Sequence, residues 1–143
     1  MVCADTSFLF SLYGSDANTA RALRCVTQSG QALTLTALNE FELENAIRFA
    51  AFRKVISKAD AQAHLAAFAA DVAAGNLRIV PCNLAATLRE AKRLSAKHTI
   101  SSGHRSFDIL HVAAAIELGA KEFLTFDARQ TALAEAENLT VKP

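Results

Sequence analysis

Acidic residues in apolar settings are the first chemistry this chain offers. Asp5 directly follows the run "VCA", Asp127 directly follows "EFLTF", and Asp108 lies in the first turn of "SFDILHVAAAIEL". The segment from Phe107 to Leu118 is apolar nearly all round, which marks a helix buried on most faces, so an ionised Asp108 needs a cation or hydrogen-bond donors beside it. Taken singly, each acid has a plainer reading: Asp5 and Asp127 as helix N-caps, and Asp108 as a favourable partner of the helix dipole with Ser106 as the cap. One shared cation would serve all three. Carboxylates suit Mg2+ and Mn2+, hard ions that keep positions open for water and a substrate phosphate. The chemistry to expect is therefore hydrolysis of a phosphate ester by an activated water, with no side-chain nucleophile. Competing signatures are absent: there is no glycine-rich phosphate loop, no GxSxG elbow and no His pair at zinc-ligand spacing.

A fourth acid has to be sought in "LTALNEFELENAIRFAAFRK". At roughly 100° per residue, Glu40 and Glu44 share one side of a helix and Glu42 falls on the other. Glu44 can pair with Arg48 one turn on, which makes Glu40, Glu44 and Arg48 a solvated stripe. Glu42 instead shares its face with Leu38, Ala46 and Phe49, and Asn45 lies close enough to orient it. A buried Glu satisfied by local donors would give the same pattern, so helical phase alone leaves the choice open.

The elements that must position these acids alternate. Short β-rich runs, "MVCA", "ALTLT", "LRIVP", "EFLTF" and "LTV", are separated by helical text. Strands joined by helical crossovers form a mainly parallel sheet, so the expectation is an α/β fold, a three-layer sandwich around about five strands. Ligands in such sheets sit outside the carboxyl ends of the strands, where strand order reverses. Asp5 and Asp127 both leave the sheet at that edge.

A chain of 143 residues with no visible linker is expected to be one domain, residues 1–143. Hydrophobic residues at 52% against 20% charged exclude a disordered class and favour a packed, helix-rich globule. Apolar runs are broken before the roughly 20 residues of a membrane span, and Asp5 occupies the place of a signal peptide's basic region. A cytoplasmic protein without a membrane partner is expected. Cys3, Cys25 and Cys82 are far apart in apolar contexts and read as buried hydrophobes. A net charge of +1 supplies no global field for nucleic acid, so any such contact must be local.

With these residues in view the chain resembles the PIN-domain nucleases, in particular the VapC-type toxins of bacterial toxin–antitoxin pairs. The resemblance runs end to end through "ADTSFLFSLY", "NEFELENAI" and "RSFDILHVAAAIELGAKEFLTFDARQTALAEAENLTV", and the last of these is the most specific. It implies that Asp5, Glu42, Asp108 and Asp127 form an acidic metal site. It selects Glu42 because the family's acid is followed by Leu and precedes an Asn-Ala pair. It further implies Mg2+- or Mn2+-dependent endoribonuclease activity, an RNA substrate, a small cognate antitoxin and a homodimer. A binding module that keeps the fold without cutting is the alternative, and a phosphotransfer receiver domain is a weaker one, since "DTS" supplies one acid where a receiver needs a pair.

Near the acids, His104, Arg105 and Arg129 are candidate RNA contacts, whereas Lys92, Arg93 and Lys97 read as surface charge. His111, one turn after Asp108, reads as a hydrogen-bonded structural residue rather than a base or ligand. Phe49, Phe52 and Phe68 lie on two consecutive amphipathic helices that either cover the sheet or hold a partner segment.

Overall fold

The structure, a computed structural model, describes residues 1–143. The chain alternates as expected: β1 (Val2–Ala4), α1 (Thr6–Tyr13), α2 (Thr19–Ser29), β2 (Leu33–Leu35), α3 (Ala37–Phe52), α4 (Lys58–Ala74), β3 (Leu77–Ile79), α5 (Leu84–Leu94), a π-helical turn (Ser95–Thr99), α6 (Ile100–Ser102), α7 (Ser106–Glu117), β4 (Glu122–Leu124), α8 (Ala128–Ala136) and β5 (Thr140–Lys142). The five strands form one sheet in the order β3-β2-β1-β4-β5, and every pairing is parallel. The first three strands step outward on one side of β1, and the chain then crosses to the other side for β4 and β5. Strand order thus reverses between β1 and β4, and the crevice at their carboxyl ends is where such a fold opens.

Alternation along the strands builds two cores, since successive side chains point to opposite faces. Val2, Ala4, Leu33, Leu35, Leu77 and Leu124 pack with Phe8, Leu9, Leu43, Ile47 and Phe68 on one face. Cys3 and Phe123 pack with Leu94, Ile109, Val112, Ala113 and Leu133 on the other. The register Cys3↔Phe123 and Ala4↔Leu124 continues past the strand ends, because the Asp5 amide donates to the Leu124 carbonyl at 3.0 Å. That bond ties the first acid to the β4 exit.

Local chemistry sets the helix boundaries. A capping box between Thr36 and Asn39 starts α3, and a Ser57–Asp60 box starts α4. Gly119, at a φ of 72°, makes the left-handed turn that ends α7 and aims the chain into β4. The α7 helix buries Ile109, Val112, Ala113, Ala114 and Ala115 together with Asp108 and His111, as its apolar composition requires. Its cap position is Arg105, however, and Ser106 is the first helical residue, so the expected Ser106 cap is not formed. Phe68 is buried edge-on against Tyr13 at 5.5 Å, which removes it from any partner surface. Phe49 and Phe52 remain exposed, Phe52 at 78%. No helix is long and apolar enough to cross a membrane.

Candidate active site at the carboxyl edge

Asp5 lies at the carboxyl end of β1, where strand order reverses. It is fully buried and caps α1, with Oδ1 accepting from the Phe8 amide at 2.9 Å and from Ser7 Oγ at 2.8 Å. Its Oδ2 accepts from Thr125 Oγ1 at 2.8 Å and Gln130 Nε2 at 2.7 Å. Burial pushes this carboxyl above the ordinary Asp range, even though the donors from Phe8, Ser7 and Thr125 pull the other way. Capping and site-building are therefore one arrangement here, not rival accounts of Asp5.

Asp108 and Asp127 stand at the same edge. Gln130 Nε2 reaches Asp108 Oδ1 at 3.5 Å, so one amide spans Asp5 and Asp108. Asp127 caps α8 by accepting from the Arg129 and Gln130 amides at 2.8 and 3.1 Å. Its own amide donates to Thr125 Oγ1, the hydroxyl that also serves Asp5. Arg105 lies across two acids, 3.2 Å from Asp108 and 3.8 Å from Asp127, on a side chain that is 70% exposed. A cleft of about 420 Å3 opens beside Asp127, lined by Thr6, Ser7, Asp16, Asn18 and Phe126 among others.

Glu42 reaches the site from α3 and is held at one oxygen. Its Oε2 accepts from the Thr6 hydroxyl and from His111 Nε2, the latter at 2.5 Å. Burial works against the charge on Glu42, but the hydrogen bonds from His111 and Thr6 and the Arg105 guanidinium outweigh it and hold the group below the usual Glu range. The expected partner Asn45 makes no hydrogen bond to it. Glu44 instead pairs with Arg48 at 2.8 Å, the solvated stripe read from helical phase.

The oxygens that Asp5, Glu42, Asp108 and Asp127 offer are all carboxylate, which fits a hard divalent cation. No three acidic or imidazole side chains close around a single point. That geometry suits an ion with one or two direct carboxylate ligands and a shell of water, the usual mode of Mg2+. Between the acids stand the Gln130 amide and the Arg105 guanidinium, the groups that now offset their repulsion.

Of the basic residues near the acids, Arg105 and Arg129 are exposed and His104 is buried with its Nδ1 unpartnered. Burial lowers the affinity of the His104 ring for protons. The site residues not found from sequence are the polar neighbours: Thr6, Ser7, Asn39, Thr125 and Gln130. Adjacency was the available signal, since Thr6 and Ser7 follow Asp5, Thr125 is two residues before Asp127, and Gln130 is one turn after it.

A doubly wound parallel sheet with acids at the carboxyl ends of β1 and β4, where strand order reverses, defines an α/β domain with a candidate site at that edge. Residues 2–136 match the model of the PIN domain, and the chain belongs to that family. This membership removes the receiver-domain alternative. Three solved structures share the fold. The toxin VapC20 of Mycobacterium tuberculosis, described as cleaving the sarcin–ricin loop, superposes with a TM-score of 0.71 at 16% identity, covering 92% of this chain and 94% of that one. VapBC2 of Rickettsia felis, bound to a promoter DNA fragment, gives 0.66 at 16% identity over 99% and 98%. FitAcB of Neisseria gonorrhoeae gives 0.63 at 14% identity over 100% and 97%. No curated protein sequence matches the chain.

Proposed function

We propose that the protein is a metal-dependent endoribonuclease that cuts RNA phosphodiester bonds and acts in the cytoplasm as the toxin of a toxin–antitoxin pair. The observation that carries this reading is the set of four acids, Asp5, Glu42, Asp108 and Asp127, delivered by four segments to one sheet edge with Arg105 as the nearby cation. The fold shared with VapC20 supports it, since that protein is described as a toxin that cleaves the sarcin–ricin loop.

In this reading Asp5, Glu42, Asp108 and Asp127 would hold Mg2+ or Mn2+, one or two of them directly and the others through bound water, and the ion would supply an activated water and offset phosphate charge. Asp5 is fixed by its five donor contacts and anchors the set. Arg105, exposed and only loosely paired, swings from the acids to the RNA backbone, and Arg129 gives a second phosphate contact. Exposed Phe49 and Phe52, stacked at 5.8 Å on α3, receive an apolar segment of a small antitoxin or of the second subunit of a homodimer.

The test compares wild type with Asp108→Asn. Antitoxin-free protein is incubated with total RNA in Mg2+ or Mn2+, and both forms are expressed in a bacterial host. Wild type should give discrete products and arrest growth, and the variant should do neither. Equal growth arrest by both forms, with no RNA cut under any metal condition, would leave the non-catalytic binding module as the better account.

A further inference from the structure

The Glu42 carboxylate is held by a chain of polar groups whose hydrogen positions can be deduced. Asn39 sits one turn before Glu42 on α3 and is buried between two backbone groups that allow no choice. The Thr36 amide can only donate, and it meets Asn39 Oδ1 at 2.9 Å. The Ala4 carbonyl can only accept, and it meets Asn39 Nδ2 at 2.9 Å. The orientation of the Asn39 amide is thereby fixed at both ends. Its Nδ2 also lies 3.0 Å from His111 Nδ1. Since Nδ2 is a donor, His111 Nδ1 is the bare, accepting nitrogen and the ring hydrogen sits on Nε2. That hydrogen points at Glu42 Oε2, which lies 2.5 Å from Nε2.

We propose that Asn39 and His111 form a positioning relay for Glu42. Asn39 selects the His111 tautomer, and His111 together with Thr6 pins Oε2 of Glu42, leaving Oε1, which makes no hydrogen bond within the chain, as the oxygen free to bind a cation. His111 is 3% exposed and both of its nitrogens are engaged, so it has no lone pair to offer a water and is not a general base. A buried imidazole that donates to a ligating carboxylate orders that ligand as outer partners do around bound metals. The relay rests on the nuclease reading for its consequence in catalysis, but the hydrogen positions do not depend on it.

The experiment uses metal-free full-length protein labelled with 15N at histidine, read by long-range proton–nitrogen correlation. Four histidines contribute, and the signals missing from His111→Gln identify the one of interest. The wild type should show an unprotonated Nδ1 and a protonated Nε2 at His111. The opposite tautomer, or hydrogens on both nitrogens, overturns the relay. Asn39→Asp keeps the acceptor for Thr36 and removes the donor to His111, so a hydrogen should appear on Nδ1, and an unchanged ring shows that Asn39 does not set the tautomer. Mn2+ titration by calorimetry reads the consequence. His111→Leu should weaken binding by about 10–100-fold, whereas His111→Gln, whose amide can still donate to Oε2, should restore most of it. Wild-type affinity in both variants overturns the positioning role. If His111→Leu does not fold, the glutamine variant and the Asn39→Asp spectrum still decide. If the protein cuts no RNA while tautomer and Mn2+ affinity behave as stated, the nuclease reading falls and the relay stands.

Discussion

Two charge clusters in this molecule use the same residue types in opposite proportion. At the carboxyl edge, four acids stand with one exposed arginine, which reaches only Asp108 and Asp127, and their remaining donors are neutral hydroxyls, amides and an imidazole N–H. Between α8 and the end of α5, Glu137 has three basic partners, of which it shares Arg93 with Glu90. Glu137 meets Arg93 at 2.5 Å, Lys97 at 2.9 Å and His98 at 2.7 Å. Glu137 sits at the C-terminal cap of α8, where the helix dipole disfavours a negative charge, so those partners are required for it to stay there. Burial alone would push its carboxyl up, yet the bonds from Arg93, His98 and Lys97 bring it down to about 2. The acid-poor cluster is satisfied and staples two helices. The acid-rich one is left with repulsion that a cation would relieve, which is the arrangement expected where stability is given up for binding.

The comparison breaks first on catalysis. Asp108→Asn should lower RNA cleavage by about 10²–10³-fold, the scale of losing one charge-stabilising group in a hydrolytic site, whereas Glu137→Gln should leave turnover per folded molecule unchanged. Asp108 is a cleaner choice than Asp5. Both Asp5 oxygens face donors, so an asparagine there must turn its amide nitrogen against one of them, and loss of fold would mimic loss of chemistry. Single-turnover rates on a defined RNA, with circular dichroism on each variant, separate these cases.

Metal is the next discriminator. At Mn2+ a hundredfold above its Kd, a site present only in the folded state gains about 2.7 kcal/mol, a shift in thermal midpoint on the order of 8 °C. Wild type and Glu137→Gln should both show it, and Asp108→Asn should lose most of it. An unchanged wild-type midpoint at saturating Mn2+ would remove the contrast between the two clusters.

How far the sequence revealed these clusters depends on how far apart in the chain their members lie. The sandwich order was legible because β-rich runs and helical text alternate cleanly. Asp5, Asp108 and Asp127 were legible because an acid at a strand exit, or inside an apolar helix, already needs explaining. The neighbours of Glu42 were not, since Thr6 and His111 come from 36 and 69 positions away and only the crossing of α1, α3 and α7 joins them. Helical phase put Asn45 beside Glu42, but the fold turned to Asn39, which a capping box had already committed to Thr36. The Glu137 staple was missed for the same reason: Arg93 and Lys97 look like scattered surface charge until α8 returns 44 and 40 residues later. Phe68, open from sequence between covering the sheet and meeting a partner, is in the core, with Tyr13 of α1 edge-on against it.

Acid should dismantle the staple in a defined window. The folded value of Glu137 lies below its ordinary 4.5, so its contribution is complete above about pH 4.5 and is lost as the pH falls toward 2. Because Arg93 and Lys97 are about half exposed, the contribution is on the order of 1–2 kcal/mol, between surface and buried pairs. Urea denaturation of wild type and Glu137→Gln at pH 7 and pH 3 measures it. The gap between the two proteins should be present at pH 7 and narrow at pH 3. A constant gap would mean that packing, not charge, accounts for the loss.

The smallest effect concerns Gln130, the amide that stands between Asp5 and Asp108. It is 4% exposed, its Nε2 serves both acids, and its Oε1 has no partner. The side chain therefore carries an unmet polar atom in return for separating two carboxylates. Gln130→Leu keeps the volume and removes both features. The acids lose a donor and face each other with less screening, while the buried oxygen without a bond disappears. These contributions oppose, so metal-free stability should fall by only about 1 kcal/mol. Mn2+ should then raise the midpoint of Gln130→Leu by more than that of wild type, because the ion supplies the screening that the amide no longer provides. Equal Mn2+ shifts in the two proteins would show that the amide does not offset the repulsion between Asp5 and Asp108, and the acid-rich cluster would then owe its order to the hydroxyl and backbone donors around Asp5 alone.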